Sequence, residues 1–242
     1  MYPIIYSDDD FLIVSKPPFI SVHCDDQITG FAYQLSQQLH TKLYVVHRLD
    51  KVTSGLMIFA KTASIAAVFG KMFESRQITK YYLAIAETKP TKKQGTIKGD
   101  MKKSRRGAWK LLKSFDNPAI TRFISKNLPA RGRVFLLKPE TGKTHQLRVA
   151  LKSIGAAIVG DPLYASGKNM TANTSIAGGE CKKDVEVPER CYLHAWQLSF
   201  CLSNQSFDFR DDPKQGALFL TAEFLQTIQQ WADVNRIKWS KG

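Results

Sequence analysis

The sequence predicts an α+β domain. Stretches that read as strands outnumber those that read as helices, the two do not alternate regularly along the chain, and nothing repeats at a period of 20–50 residues. A doubly wound fold needs regular strand–helix alternation, so it is disfavoured. The length of 242 residues accommodates one large domain or two small ones.

Taken in order, Ile4–Tyr6 and Phe11–Ser15 read as short strands around the acidic turn Asp8–Asp10, and Pro17 and Pro18 stop the second. Phe31, Leu35 and Leu39 repeat at helical spacing and predict a helix over 30–39. Leu43–Val46 and Leu56–Ala60 read as strands on either side of the polar segment HRLDKVTSG. Thr62 can cap a second helix whose buried stripe is Ile65, Val68, Phe69, Met72 and Phe73. Tyr81–Ala86 reads as a buried strand. Further strands are expected at Trp109–Phe115, Ile120–Ser125 and Arg133–Lys138. A short helix within Gln146–Ile154 should end on Gly155, which can take the left-handed conformation common after a helix. Residues 165–190 read as an exposed loop, Tyr192–Leu202 as a strand, and Phe224, Leu225, Ile228 and Trp231 as the apolar side of a last helix.

Charge and composition narrow the class. The chain carries 35 Lys and Arg against 21 Asp and Glu, a net charge of +14 at pH 7, which points to a polyanionic partner. No apolar run approaches the roughly 18 residues needed to span a bilayer, and the N-terminus has no basic stretch leading into an apolar one, so neither membrane insertion nor export is expected. Cys24, Cys181, Cys191 and Cys201 lack the close pairs of a zinc site, and a domain of this size needs no disulfide. Reduced thiols and a cytoplasmic location are the expectation. Residues 89–113 hold ten Lys or Arg and one acid, Asp100, with Lys102, Lys103, Arg105 and Arg106 clustered.

Three segments could carry chemistry. HRLDKVTSG (His47–Gly55) sets Arg48 and Asp50 on a loop between strands, a common place for function. TGKTHQLRVALKSIGAAIVGDPLY (Thr141–Tyr164) combines glycine turns, a polar cluster, Arg148 near a helix start, and Asp161; amides at a helix start favour anions. KYYLA (Lys80–Ala84) places a tyrosine pair in a strand. Singly, each has an ordinary reading as a turn, a helix–turn–strand or sheet packing.

Together and in this order, they resemble the RluA-type pseudouridine synthases. VSKPPFISVH (Val14–His23) is similar to that family's first motif, and LHAWQLSF (Leu193–Phe200) to its last strand. The resemblance runs from about residue 4 to about residue 210. It implies a pseudouridine synthase fold with a mixed, largely antiparallel central sheet flanked by helices and loops. It also implies one catalytic domain spanning 1–242, without the small N-terminal RNA-binding module of some relatives. By position, the catalytic aspartate falls on Asp50 and the loop arginine that helps displace the target base on Arg48. The tyrosine that stacks on uracil and takes part in deprotonation falls on Tyr82. The arginine that pairs with the carboxylate falls on Arg148, and the apolar residue lining the base pocket on Leu147. Three positions depart from the pattern: Phe19 where Gly is usual, Lys143 where Arg is usual, and Ala150 where His is common.

The implied reaction breaks the N1–C1′ bond of uridine, turns the base, joins C5 to C1′ and removes the C5 proton. It is redox-neutral and transfers no phosphate, so no cofactor, dinucleotide or metal is expected. It needs one ionised carboxylate, Asp50, which a partner such as Arg148 would keep charged against the effect of burial. That pairing is the sharpest structural expectation, because the two residues are nearly a hundred positions apart. Lys102, Lys103, Arg105 and Arg106, with Arg131 and Arg133, are expected to grip RNA phosphates. His47 and His145 are expected to make structural hydrogen bonds, and Lys16 to anchor the first motif. The expected partner is structured RNA, either tRNA or 23S rRNA, and the expected state a monomer. Two competing readings are a catalytically weak RNA-binding protein or RNA chaperone on the same fold, and a glycosidic-bond hydrolase in which Asp161 would serve as second carboxylate.

Overall fold

The computed structural model describes residues 1–25, 28–129, 132–165 and 189–239. Among these, the chain forms one large sheet and a separate hairpin. The strands are β1 (Ile4–Ser7), β2 (Phe11–Lys16), β3 (Tyr44–Val45), β4 (Ser54–Ala60), β5 (Thr79–Ala86) and β6 (Gln94–Gly99). They continue with β7 (Met101–Lys103), β8 (Trp109–Leu111), β9 (Ala119–Leu128), β10 (Gly132–Pro139), β11 (Leu193–Leu202) and β12 (Gln205–Arg210). The helices are α1 (Phe31–Leu39), α2 (Ala63–Glu74), α3 (Gln146–Ser153) and α4 (Ala222–Gln229).

The main sheet runs β1-β2-β4-β11-β5-β10-β9-β6, with β3 added to β4 and β12 to β11, while β7 and β8 pair only with each other. Among the described residues every strand pairing is antiparallel except β4 with β11. This single parallel contact is short, Ser54 opposite His194 and Gly55 opposite Ala195. Beyond it, β4 takes β3 as its neighbour and β11 takes β12. An aromatic cluster, with Phe11, Phe69, Phe200 and Phe207 in edge-to-face or stacked contact, fills the space next to these diverging strands. The largest apolar cluster lies on β5, β10 and α3, and a third gathers α1 and Leu49 against β2 and β4.

Local signals place most of these elements. Thr62 Oγ1 accepts the Ile65 amide and starts α2. Gly155 follows α3 at φ 76°, as a left-handed residue past a helix end should. Val68, expected on the buried stripe of α2, sits at its edge and is exposed, as is Leu225 of α4. The strand expected at Trp109–Phe115 stops at Leu111. Asp100 gathers the following loop instead, accepting the amides of Asp116 and Asn117. Three strands go unread in sequence: β6, whose QGTIKG buries one large apolar side chain, Ile97; the three-residue β7, whose MKK buries none; and β12, whose Phe207 and Phe209 alternate with polar residues. The loop expected over 165–190 lies mostly outside the described residues. Its last residue, Arg190, is buried and bonded to Cys191 O, Gln215 O and Ser54 Oγ. Cys24, Cys191 and Cys201 are free thiols, and Cys181 lies outside the described residues.

The parallel contact is what fixes the loop before β4 against β11. Ser54 Oγ donates to His194 Nδ1 at 2.7 Å, and His194 Nε2–H donates to Asp211 O at 2.7 Å. Gly55 has φ 108°, and a Cβ there would stand 2.2 Å from Ala195 O. Gly55→Ala should therefore cost about 3 kcal/mol, from backbone strain plus overpacking, and lower the thermal midpoint of unfolding.

Burial pulls His194 from its ordinary value down to about 3, although its bond to Asp211 opposes this. The folded state therefore refuses a proton that the unfolded chain accepts below about pH 6.5. The stability is fully present above that pH and is lost as pH falls toward about 3. The expected slope is up to about 1.4 kcal/mol per pH unit from this residue. Urea unfolding of wild type and His194→Gln between about pH 7 and about pH 4 should show the wild-type slope as the steeper.

Candidate active site

Residues 46–53 form the loop between β3 and β4, and its alternation sets the site. Leu49 is buried in the α1 cluster and Val52 packs into the main core. The residues between and before them, Asp50 and Arg48, are left facing a cleft. The Asp50 carbonyl accepts the Thr53 amide at 3.0 Å and closes the turn. His47 anchors the loop's start: its Nε2 accepts the Ile58 amide at 2.9 Å and its ring lies 4.7 Å from that of Phe73. Burial, with Lys80 adding to it, pulls His47 down to about 3, so the ring is neutral and remains an acceptor. Lys16 anchors the first motif, donating to Pro17 O at 2.8 Å, Ile20 O at 2.9 Å and Lys51 O at 3.4 Å. It thereby ties that motif to the Asp50 loop.

The second wall comes from α3, whose first six residues are all buried. Gln146 holds its start in place. Its Nε2 donates to Ile120 O and Thr121 Oγ1, both at 3.0 Å, and its Oε1 accepts the Lys143 amide at 3.0 Å and the Thr141 hydroxyl at 2.7 Å. Leu147 lines the cleft while packing into the main core.

Arg148 is 3% exposed, and its guanidinium bridges two carboxylates. Nη1 meets Asp50 Oδ2 at 3.1 Å, while Nε and Nη2 grip the two oxygens of Asp161 at 2.7 and 2.8 Å. Asp161 Oδ1 also accepts the amides of Leu163 and Tyr164. Burial works against the charge on Arg148, but the bonds and charges of Asp161 and Asp50 outweigh it and hold the guanidinium above its ordinary value. The ring of Tyr164 stacks over the guanidinium, 5.0 Å from Cζ.

Tyr82 on β5 pairs with Leu137 of β10 and Ala195 of β11 and presents its ring to the same cleft. Burial, then the Asp50 charge, pushes its phenol up from the ordinary value. A phenol so placed stays protonated. The cleft has a volume of about 860 Å3, and a smaller cavity of about 430 Å3 adjoins it, with Arg48, Asp50, His145 and Arg148 lining both.

The structure thus brings together Arg48, Asp50, Tyr82, Leu147 and Arg148. It does not bring the basic cluster to them. Lys102, Lys103, Arg105 and Arg106 stand exposed on the β7–β8 hairpin, outside the residues lining either cavity. Arg133 turns inward, bonding Ser125 Oγ and Ser125 O, so it is not free to grip phosphate. Arg131 lies outside the described residues. The cationic lining comes instead from Arg76, Lys80, Lys138 and Lys143 along with Arg48. Sequence reasoning missed Arg76 and Lys138 because neither belongs to a run of basic residues.

The three departures also resolve. Phe19 adopts φ 67°, the left-handed backbone that a glycine takes freely. An L-residue there costs on the order of 1 kcal/mol, and the Lys16 bonds on both sides hold it. Lys143 Nζ donates to Asn117 Oδ1 at 2.8 Å at the cleft rim. Ala150 is packed in the main core and lines neither cavity.

Comparison with known proteins decides the family. Residues 10–153 match the model of the RNA pseudouridylate synthase family. The chain belongs to that family. It is 46% identical over 227 residues to an uncharacterized RNA pseudouridine synthase of Haemophilus influenzae, covering 93% of this chain and 94% of that one. It is 35% identical over 178 residues to a ribosomal large subunit pseudouridine synthase C of Rickettsia bellii, covering 69% of this chain and 58% of that protein. Among solved structures, human RNA pseudouridylate synthase domain containing 1 superimposes with a TM-score of 0.73 at 25% identity, covering 100% of this chain and 97% of the other. The protein is therefore an RNA pseudouridine synthase, an isomerase whose substrate is RNA, on the pseudouridine synthase fold. No helix among the described residues is long and apolar enough to cross a membrane.

Asp161→Asn removes the fork that compensates a buried guanidinium. The expected loss of stability is about 3 kcal/mol, measurable by urea unfolding at neutral pH.

Proposed function

We propose that this isomerase converts specific uridines of structured RNA, in tRNA or 23S rRNA, to pseudouridine with Asp50 as the catalytic carboxylate. The observation that carries the reading is the Arg148–Asp50 contact at 3.1 Å in a cleft that also holds Tyr82 and Leu147. Arg148, fixed from behind by Asp161, orients the partly buried Asp50 for attack beside the glycosidic bond. Tyr82, kept protonated, serves as a face on which the extruded uracil stacks, offsetting part of the cost of unstacking it. Leu147 closes the apolar side of the base pocket. Arg48 enters the space the base vacates, and Lys102, Lys103, Arg105 and Arg106 hold RNA phosphates at a distance from the chemistry.

Ribosomal RNA is favoured by relatives named as ribosomal large subunit pseudouridine synthases. The compact basic hairpin keeps a tRNA arm as the alternative. The reading takes residues 1–242 as one catalytic domain acting as a monomer in the cytoplasm.

Hydrolysis of the glycosidic bond with Asp161 as second carboxylate is disfavoured by the state of that residue. Asp161 is 1% exposed with both oxygens held by Arg148. It is not placed to activate water. A binding-only or chaperone role is disfavoured by the assembled Asp50–Arg148–Tyr82 set, which RNA binding alone does not need.

RNA tritiated at uracil C5 tests the proposal. Wild-type protein should release tritium without freeing uracil, and Asp50→Asn should release it at least about 10³-fold more slowly. Free uracil would identify a hydrolase, and wild-type rates from Asp50→Asn would sink the assignment. Mapping modified uridines in cells lacking the protein would decide between tRNA and rRNA.

A further inference from the structure

His145 stands between the two cavities beside Asp50, in a backbone conformation it has no local reason to adopt. It lines both cavities and takes φ 56°, a region unusual for residues with a side chain. It immediately precedes α3, where a capping residue would bond a helix amide, yet its side chain makes no such bond. Backbone strain of this kind is retained where surrounding contacts over-determine it, commonly at functional sites.

Those contacts can be followed atom by atom. His145 Nδ1 lies 2.9 Å from Tyr164 Oη, with the two rings edge to face. The same phenol oxygen accepts the backbone amide of Trp109 at 2.7 Å. Tyr164 is 5% exposed, and among the described residues its hydroxyl hydrogen has no acceptor other than His145 Nδ1. A buried hydroxyl left without an acceptor costs about 1–3 kcal/mol, so the phenol donates and Nδ1 accepts. The ring's hydrogen is then on Nε2, which has no partner among the described residues. Burial lowers the His145 pKa; Asp50 opposes this, Arg148 adds to it, Asp161 opposes it, and Arg48 adds to it. The net effect leaves the imidazole uncharged at neutral pH.

We propose that His145 is a substrate-contacting residue whose Nε2–H donates a hydrogen bond to an acceptor oxygen of the bound uridine, in a tautomer fixed by Tyr164. This rests on the isomerase reading and extends it. Trp109 opens β8 and pairs with Lys103 of β7, so the amide that holds Tyr164 belongs to the basic hairpin. The hairpin that meets the RNA is thereby bonded, through one phenol, to a group at the reacting base. Tyr164 is a positioning residue in this arrangement: its amide braces Asp161, its ring covers Arg148, and its hydroxyl orients His145.

The test combines a tautomer measurement with kinetics. Long-range ¹⁵N–¹H NMR of the histidine rings in the whole protein should show His145 as the Nε2–H form, and as a mixture in Tyr164→Phe. An Nδ1–H form in wild type would overturn the proposal. His145→Asn tolerates the left-handed backbone but lacks the reach, whereas His145→Gln can restore an N–H donor. In the C5-tritium assay, His145→Asn should lose about tenfold in kcat/KM, with thermal stability close to wild type, and His145→Gln should regain most of it. If His145→Asn matches wild type, or His145→Gln is no better than His145→Asn, the assignment falls. If wild-type protein releases no label from any RNA, the isomerase reading falls and takes this proposal with it.

Discussion

A guanidinium that is 3% exposed must be fully partnered, and the site is arranged around meeting that demand for Arg148. Asp161 takes two of its N–H groups in a fork, Asp50 takes a third, and Tyr164 covers its face. Breaking such a set leaves a buried charge uncompensated, a far larger penalty than the set's net contribution to stability. The arrangement therefore acts less as a source of stability than as a constraint: α3, the 158–164 turn and the Asp50 loop can settle only where all four side chains meet. The consequence for chemistry is asymmetric. Asp161 is enclosed and saturated, whereas Asp50 gives one oxygen to Arg148 and keeps 18% of its side chain exposed toward the cleft.

The sheet supplies the other half of the constraint. Its single parallel contact, two residue pairs long, carries Ser54 and Gly55 directly after the Asp50 loop. Gly55 allows the close approach of β11, and the Ser54–His194–Asp211 bonds lock it. Lys16 and His47 then tie the loop to the first motif and to β4. Gly55, the buried Lys16, His47 and the buried His194 thus serve the position of a single carboxylate, without touching it.

Much of this was legible in sequence, for identifiable reasons. Thr62, Gly155 and the apolar spacing of Phe31, Phe69, Phe224 and Ile228 mark helices through local rules that need no tertiary knowledge. The motif segments likewise named Asp50, Tyr82, Leu147 and Arg148 in advance. β6 and β12 escaped because edge strands bury too little apolar surface to leave a pattern. Arg133 was misread because charge in a sequence does not state burial: a guanidinium that finds two oxygens of Ser125 is a structural clamp. The cationic lining was misplaced for a related reason, since clustering along the chain put weight on Lys102–Arg106, while Arg76, Lys80 and Lys138 converge only in space.

By itself, then, the sequence determined what depends on neighbours along the chain: helix ends, the buried stripes, the glycine that a tight approach needs, the positive charge that calls for a polyanionic partner, and the residue types of the site. The tertiary structure decided what depends on separation in sequence but closeness in space. It paired Arg148 with Asp50 across 98 positions, enclosed Asp161 while leaving Asp50 open, and set His145 against Tyr164 beneath the basic hairpin. The physical reason is desolvation. Whether a charged or polar group is a solvated surface feature, a structural clamp or a reactive centre depends on how much water its neighbours exclude, and those neighbours are chosen by the fold.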